Sequence, residues 1–219
     1  DLVRGIEIMN TNRSLMRQAY ELMRSDPPLM SGVETLQMVM ASQYMHKEEH
    51  SSLLRDILEE LPNRQDGPEG GLPRLIMVGS CNDYTEVVGL IENSGANVVI
   101  DEQCTGTRYF WNNVDSEGDA LSAIATRYLE RPPCPQKDFP DRRRFPHIMQ
   151  LVDDYNVGGA VLVQQKFCNP HEFDLPLIDN MFKERGLPTL FLEIDVTVPV
   201  GQFRTRVEAF IETMELEFV

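Results

Sequence analysis

The sequence has no close pair of cysteines, no long apolar run and no glycine-rich phosphate loop. Its four cysteines, Cys81, Cys104, Cys134 and Cys168, stand far apart, with no CxxC anywhere. That spacing disfavours a self-contained zinc site, whose ligands usually arrive in close pairs, and it disfavours a disulfide framework in a chain of 219 residues. Single cysteines from separate loops could still converge in space. No run of about 18 apolar residues occurs, so no membrane-spanning helix is expected. The opening DLVRGIEIMN lacks the charged-then-apolar pattern of a signal peptide and begins without Met. The chain therefore reads as cytoplasmic, and as processed or a fragment. Basic residues are scarce: 20 Lys and Arg face 35 Asp and Glu, a net charge of −15, with an isoelectric point near 4.6. A field of that sign repels nucleic acid and anionic membrane. The one basic cluster, Arg142, Arg143 and Arg144 with Lys137 nearby, reads as a solvated helix start, or as a site for a phosphorylated ligand or a partner's acidic face.

What is present is an ordinary globular composition, 42% hydrophobic and 25% charged. Residues 1–62 read as a helical segment. Ile6, Met9, Leu15, Met16, Tyr20, Leu22 and Met23 recur at three- and four-residue intervals, SDPPLMSG breaks the run, and a second helix is expected over 33–61. Residues 63–73, rich in Gly and Pro, read as a linker. From 74 to 219 the pattern is that of an α/β domain. Short apolar runs at 74–80, 97–101, 159–165 and 188–195 alternate with helical patterns at 85–95, 119–129, 145–155, 175–185 and 202–214. Runs apolar on both faces, alternating with helices, predict a doubly wound, mostly parallel sheet with helices on both faces. In such folds ligands collect at the carboxyl ends of the strands. Three of the four cysteines fall there: Cys81 after Gly79-Ser80, Cys104 after Asp101-Glu102-Gln103, and Cys168 after Gln165-Lys166-Phe167.

Each candidate has a plain reading beside a chemical one. Cys168 lies in QQKFCNPHEFDLP, where Pro170 is expected to hold back the next helix and fix the cysteine in a turn; a ligand or nucleophile competes with a packed thiol. Cys104 lies in DEQCTGTRYFW, where Arg108 either pairs with Asp101 or Glu102 or meets a substrate anion. Cys134, hemmed by prolines in RPPCPQKDFP, suits a lid or a surface turn. GSCND around Cys81 lacks G-x-G-x-x-G spacing, so a nucleotide site there is weakly supported. His46-Lys47-Glu48-Glu49-His50 fits the H-x-x-E-H pattern of inverted zinc peptidases. It sits on a charged helix expected to be exposed, with no helical Glu motif downstream, and such a pattern arises readily by chance.

Taken together, RLIMVGS, ENSGANVVIDEQCTGTRYFW, RPPCP, QQKFCNPHEFDLP and QFRTRVEAFIE resemble the 2-hydroxyacyl-CoA dehydratase and benzoyl-CoA reductase family, collinearly from about Asn10 onward. CTGTRYFWN, QQKFCNPHE and FLEIDVTVPVGQF look closest to benzoyl-CoA reductase core subunits. The resemblance implies a core subunit that pairs with a homologous subunit as a heterodimer, each holding a [4Fe–4S] cluster through three cysteines. It implies a separate activator that hydrolyses ATP, with ferredoxin as electron source. The substrate would be an aromatic acyl-CoA reduced by low-potential one-electron steps or, in the dehydratases, a 2-hydroxyacyl-CoA that loses water. A non-catalytic electron-relay or scaffold subunit is the remaining alternative. Cys168 maps to the family's C-terminal cluster cysteine, the other two lying in a region that would precede Asp1; Cys104 and Cys134 are the substitutes within this chain. His171 or Glu172 is the candidate proton donor, and Arg108 and Glu102 are the candidate substrate contacts.

Overall fold

The structure, a computed structural model, describes residues 1–195 and 200–217; positions 196–199, within FLEIDVTVPVGQF, and 218–219 lie outside the described residues. Three helices come first: α1 (Leu2–Glu21), α2 (Gly32–Tyr44) and α3 (Lys47–Glu60). They are followed by β1 (Arg74–Gly79), α4 (Thr85–Asn93), β2 (Asn97–Glu102), the one-turn α5 (Thr107–Phe110), α6 (Ala120–Glu130), α7 (Arg144–Asp154), β3 (Gly159–Gln165), α8 (Asn169–Glu184), β4 (Thr189–Ile194) and α9 (Val200–Glu217). Among the described residues the strands form one sheet in the order β2-β1-β3-β4, with every pairing parallel. This is the doubly wound α/β arrangement expected from the sequence. The chain leaves β1 toward one edge and later returns beside β1 to build toward the other, which puts the switch point between β1 and β3.

The alternation of side chains along the strands divides the core. Ile76, Val78, Ala160 and Leu162 face α1, α7 and α8, where Met16, Tyr20, Leu151, Tyr155, Ile178 and Phe182 close over them. Leu75, Met77, Val161, Val163 and Leu192 face α4 and α9 through Val87, Ile91, Phe203, Val207 and Met214. Each fully buried aliphatic side chain contributes roughly 1.5–3 kcal/mol, so strands β1 and β3, buried along nearly their whole length, anchor the fold. Strand β4 departs from the expectation of apolar faces on both sides. Its burial alternates, and Phe191 is exposed, because β4 is an edge strand covered on one face only.

Two helix boundaries also differ. The helix expected over 33–61 is two helices, broken where Met45 and His46 adopt extended backbone. The reversal lays α3 back along α1 and buries His50, whose Nδ1 meets Asn12 Nδ2 at 2.8 Å and whose Nε2 meets the Met38 carbonyl at 3.1 Å. His46 stays outside the helix with its side chain exposed. The H-x-x-E-H pattern is therefore half core and half surface, and His50 is a buried structural histidine. Helix α8, expected over 175–185, begins at Asn169. Pro170 sits in its first turn, where no backbone N–H is required and the fixed φ suits a helix. At its far end Gly186 takes a φ of +71°, the left-handed value that stops the helix.

The amino end of the sheet is fastened by one side chain. Arg74, buried at the start of β1, donates from Nε to the Tyr155 carbonyl (3.0 Å), from Nη1 to Ser25 (2.9 Å) and from Nη2 to Met23 (2.8 Å). It thereby ties the end of the first helical segment to α7. The Gly/Pro-rich stretch 63–73 is pinned as well, through Gly71 N–H to Asp26 and Asn97 Nδ2 to the Glu69 carbonyl.

Candidate functional site

The carboxyl end of the sheet carries the sequence's candidates. At the switch point the loop after β1 leads to α4 on one face, and the loop after β3 leads to α8 on the other, so the two diverge around a crevice. Ser80 Oγ accepts from the Gln165 N–H at 3.2 Å and holds the two loop bases together. Cys168 caps α8. Its N–H donates to the Gln165 carbonyl (3.0 Å), and its own carbonyl accepts from the N–H groups of His171 and Glu172 (3.1 Å each) and from Gln164 Nε2 (3.1 Å). Phe167 before it takes a φ of +69° and is exposed. The turn is fixed by backbone bonds on both sides, and the half-buried thiol stands at the start of a long helix, the end whose dipole favours negative charge.

Beneath this rim lies a buried ionic frame. Glu102, at the end of β2 and fully buried, accepts from Arg144 through Nε (3.1 and 3.0 Å) and Nη2 (2.6 Å). Arg144, also 0% exposed, reaches Asp174 Oδ2 at 3.4 Å and His171 Nδ1 at 3.1 Å, while its backbone N–H donates to Asp138. Arg142 donates to the other Asp174 oxygen at 2.5 Å. The basic cluster is thus no solvated helix start: Arg144 is the buried centre of a charge network, and Arg143 bonds the Leu129 carbonyl at 3.0 Å. Burial and the neighbouring Arg144 and Arg108 guanidiniums push His171 down to about 3, so its ring is neutral. Glu172, next to it on α8, is exposed.

Arg108 joins the frame to the rim. Its Nε lies 3.3 Å from Glu102 Oε1, and its Nη2 donates to the Gly79 carbonyl and reaches Cys104 Sγ at 3.2 Å. The loop carrying it is set by Asp101, whose carboxylate accepts from Tyr20 OH (2.6 Å), Gln103 N–H (3.1 Å) and Thr107 N–H (2.8 Å). A Cβ on Gly106 would lie 1.7 Å from Asp101 Oδ1, so only glycine lets the turn close over that carboxylate. Burial raises the Asp101 carboxyl and holds Tyr20 well above the usual phenol range.

The structure sets the loops of Cys81 and Cys104 side by side, with Cys104 N–H on the Ser80 carbonyl at 3.0 Å; the neighbouring Cys104 thiol lowers Cys81 to about 7, and the Cys81 thiol, with burial, raises Cys104. Cys168 is close enough for its charge to act on Cys81. Cys134 opens the one-turn helix Pro135–Lys137 and is half-buried. Among the described residues no group of three side chains capable of holding a metal forms. Sequence reading missed Arg144, Asp174 and Asp138 as one network, since no local pattern joins residues on three separate elements. It also left Cys81 without a companion, although adjacent parallel strands bring the loops of Cys81 and Cys104 side by side.

The chain is similar to known proteins. The 2-hydroxyglutaryl-CoA dehydratase, D-component family (HGD-D) matches residues 1–214. The chain is 24% identical over 97% of its length to the (R)-phenyllactyl-CoA dehydratase beta subunit of Clostridium sporogenes. It is 25% identical over 97% of its length to the beta subunit of lactoyl-CoA dehydratase from Anaerotignum propionicum. Against a benzoyl-CoA reductase subunit of Thauera aromatica it is 21% identical over 84% of its length. It covers 57% of each of the first two relatives and 48% of the third, so it spans about half the length of the proteins it matches. The special likeness to benzoyl-CoA reductase expected from single motifs is not what these figures give, since these two dehydratase subunits match more of the chain at higher identity. Among the described residues no helix is long and apolar enough to cross a membrane. The chain belongs to the 2-hydroxyglutaryl-CoA dehydratase D-component family.

Proposed function

We propose that this chain is the α/β part of a core subunit that acts on acyl-CoA thioesters, and that the reaction is dehydration of a 2-hydroxyacyl-CoA in preference to reduction of an aromatic ring. The observation that carries the reading is the position of Cys168, fixed by backbone hydrogen bonds at the head of α8 and beside the switch point of a sheet whose family relatives include dehydratase beta subunits. Cys168 serves as one thiolate ligand of a [4Fe–4S] cluster, the remaining ligands coming from outside the described residues. The cluster supplies low-potential electrons when bound.

In this reading the chain's other residues support the ligand. The Glu102–Arg144–Asp174 frame locks the base of α8 against β2, so Cys168 is held on a rigid element. His171, neutral and accepting from Arg144, positions that guanidinium. Exposed Glu172, one turn into α8, is the better placed of the two candidate proton donors. A homologous core subunit, an ATP-hydrolysing activator and ferredoxin are the partners this activity requires.

The test is the full-length subunit, produced with its partner subunit and purified without oxygen. Wild type should carry iron and sulfide and show the EPR signal of a reduced cluster, and Cys168→Ser should lose one cluster's worth of iron. Unchanged iron content in the variant would remove Cys168 from the ligand set. Supplied with the activator, the complex should convert a 2-hydroxyacyl-CoA to an enoyl-CoA and leave benzoyl-CoA intact; a cyclic diene from benzoyl-CoA would reverse the preference.

A further inference from the structure

Cys81 and Cys104 are not the thiolate assigned to the cluster under the proposed function, and the fold laces their two loops together. They follow neighbouring parallel strands, β1 and β2, whose backbones run about 4.8 Å apart. The loops stay laced beyond the strand ends: Cys104 N–H donates to the Ser80 carbonyl at 3.0 Å. One residue further, Asn82 N–H donates to Thr105 Oγ1 at 3.0 Å, and that hydroxyl donates back to the Asn82 carbonyl at 2.6 Å. The two cysteines are therefore held side by side, with hydrogen bonds before and after them. A disulfide needs Cα atoms about 4.4–6.8 Å apart, and the spacing of neighbouring strands, about 4.8 Å, falls inside that range. Both residues are exposed, so a reagent can reach them.

We propose that Cys81 and Cys104 form a redox-active dithiol, with Cys81 as the attacking thiol and Cys104 as the resolving thiol, and that it exchanges with low-molecular-weight disulfides. The Cys81 thiolate attacks one sulfur of the small disulfide, forming a mixed disulfide and expelling one small thiolate. Cys104, deprotonated in turn, attacks the Cys81 sulfur, closes the Cys81–Cys104 bond and expels the second. The protein loses two electrons and two protons; the small disulfide gains both and leaves as two thiols.

The roles follow from the surroundings. The Cys104 thiol, laced beside Cys81 by the backbone bond to Ser80, and the Arg108 guanidinium favour a thiolate at Cys81 and hold it down to about 7, within reach of neutral pH. Cys104, with Arg108 Nη2 at 3.2 Å from its sulfur, gains that cation as a partner once its proton is lost.

The experiment uses the full chain, reduced and then exposed to oxidised glutathione near neutral pH. Acid quenching, alkylation and peptide mass mapping follow. In wild type, Cys81 and Cys104 should disappear together into one cross-linked peptide while Cys134 and Cys168 remain alkylatable. Cys104→Ser should stop at a Cys81–glutathione adduct that wild type does not accumulate. Cys81→Ser should slow the reaction at Cys104 by about tenfold or more. A lasting glutathione adduct in wild type would overturn the proposal, as would four thiols reacting at equal rates or a cross-link from Cys81 to Cys168. Dithiothreitol should restore both thiols together, and a chain that stays oxidised or recovers only one would also defeat it.

Discussion

The two ends of the sheet solve the same problem in different ways. At the amino end a single buried cation, Arg74, is satisfied by neutral carbonyls, and the loops around it are tied backbone to backbone, Asn97 N–H to Pro73 and Gly158 N–H to Arg74 at 2.8 Å each. At the carboxyl end Arg144 and Arg108 are held by buried carboxylates, and several polar atoms there have no partner among the described residues: Asn82 Nδ2, Gln103 Nε2, Arg108 Nη1 and Gln164 Oε1. Native proteins leave few buried polar groups unmatched, and where such groups cluster beside thiols and buried charge they mark a place shaped for something other than stability. The amino end is a fastening and the carboxyl end is the candidate site. The difference also predicts what mutation will do at each.

The largest effect is expected at Arg144. Arg144→Met removes the main partner of a fully buried carboxylate and should cost about 3–5 kcal/mol, read as a lower urea midpoint. Adding Glu102→Gln to that variant removes the stranded charge and should return about 1 kcal/mol or more. At the amino end Arg74→Met leaves three carbonyls without their donor but strands no charge, so about 2–3 kcal/mol is expected. If Arg74→Met proves as costly as Arg144→Met, the contrast between the two ends fails.

The same contrast explains what can be read from the sequence. The strands are legible because buried parallel strands are short apolar runs, and the carboxyl ends follow from the topology rule. Their positions just after the expected strands put Cys168, Cys104 and Cys81 at that rim. The break at Met45-His46 is not legible, because nothing in ASQYMHKEEH forbids a continuous helix; the reversal is imposed by α1, whose Asn12 meets His50, Ser51 and Ser42. Arg144 misleads for a related reason. Three consecutive arginines look solvated, and only the tertiary partners Glu102, Asp174 and His171 bury the third. Local chemistry predicts local structure; a charge network spread over β2, α7 and α8 has no local signature.

His171 gives a smaller effect with a definite sign. Its folded value, about 3, lies below the ordinary 6.5. Between those values the unfolded chain binds a proton that the folded chain does not, so stability is complete above about pH 6.5 and falls as the pH drops toward 3. His171→Gln keeps an acceptor for Arg144 and removes the titration. From pH ~7 to pH ~5 the variant should lose about 2 kcal/mol less than wild type. Parallel urea curves at the two pH values measure this, and identical pH dependence would show that the ring is not the buried neutral group the geometry describes.

The smallest effect tests whether the helical segment belongs to the site at all. Tyr20, on α1, is the one side chain from that segment bonded to the Asp101 carboxylate among the described residues, and Asp101 in turn holds the loop that presents Cys104 and Arg108. Tyr20→Phe removes the Oδ2 partner while Oδ1 keeps the N–H groups of Gln103 and Thr107, so the expected loss is about 1 kcal/mol. Losing that donor raises the carboxyl further. A raised carboxylate destabilises the fold increasingly as the pH climbs through its titration, so the penalty should be greater near neutrality than in acid. Hydrogen exchange at the Thr107 amide reads the loop directly, and it should quicken in the variant while exchange in β3 stays slow. If the loop exchanges as in wild type, Asp101 and Gly106 hold it without help from α1, and the boundary of the site moves back to the sheet.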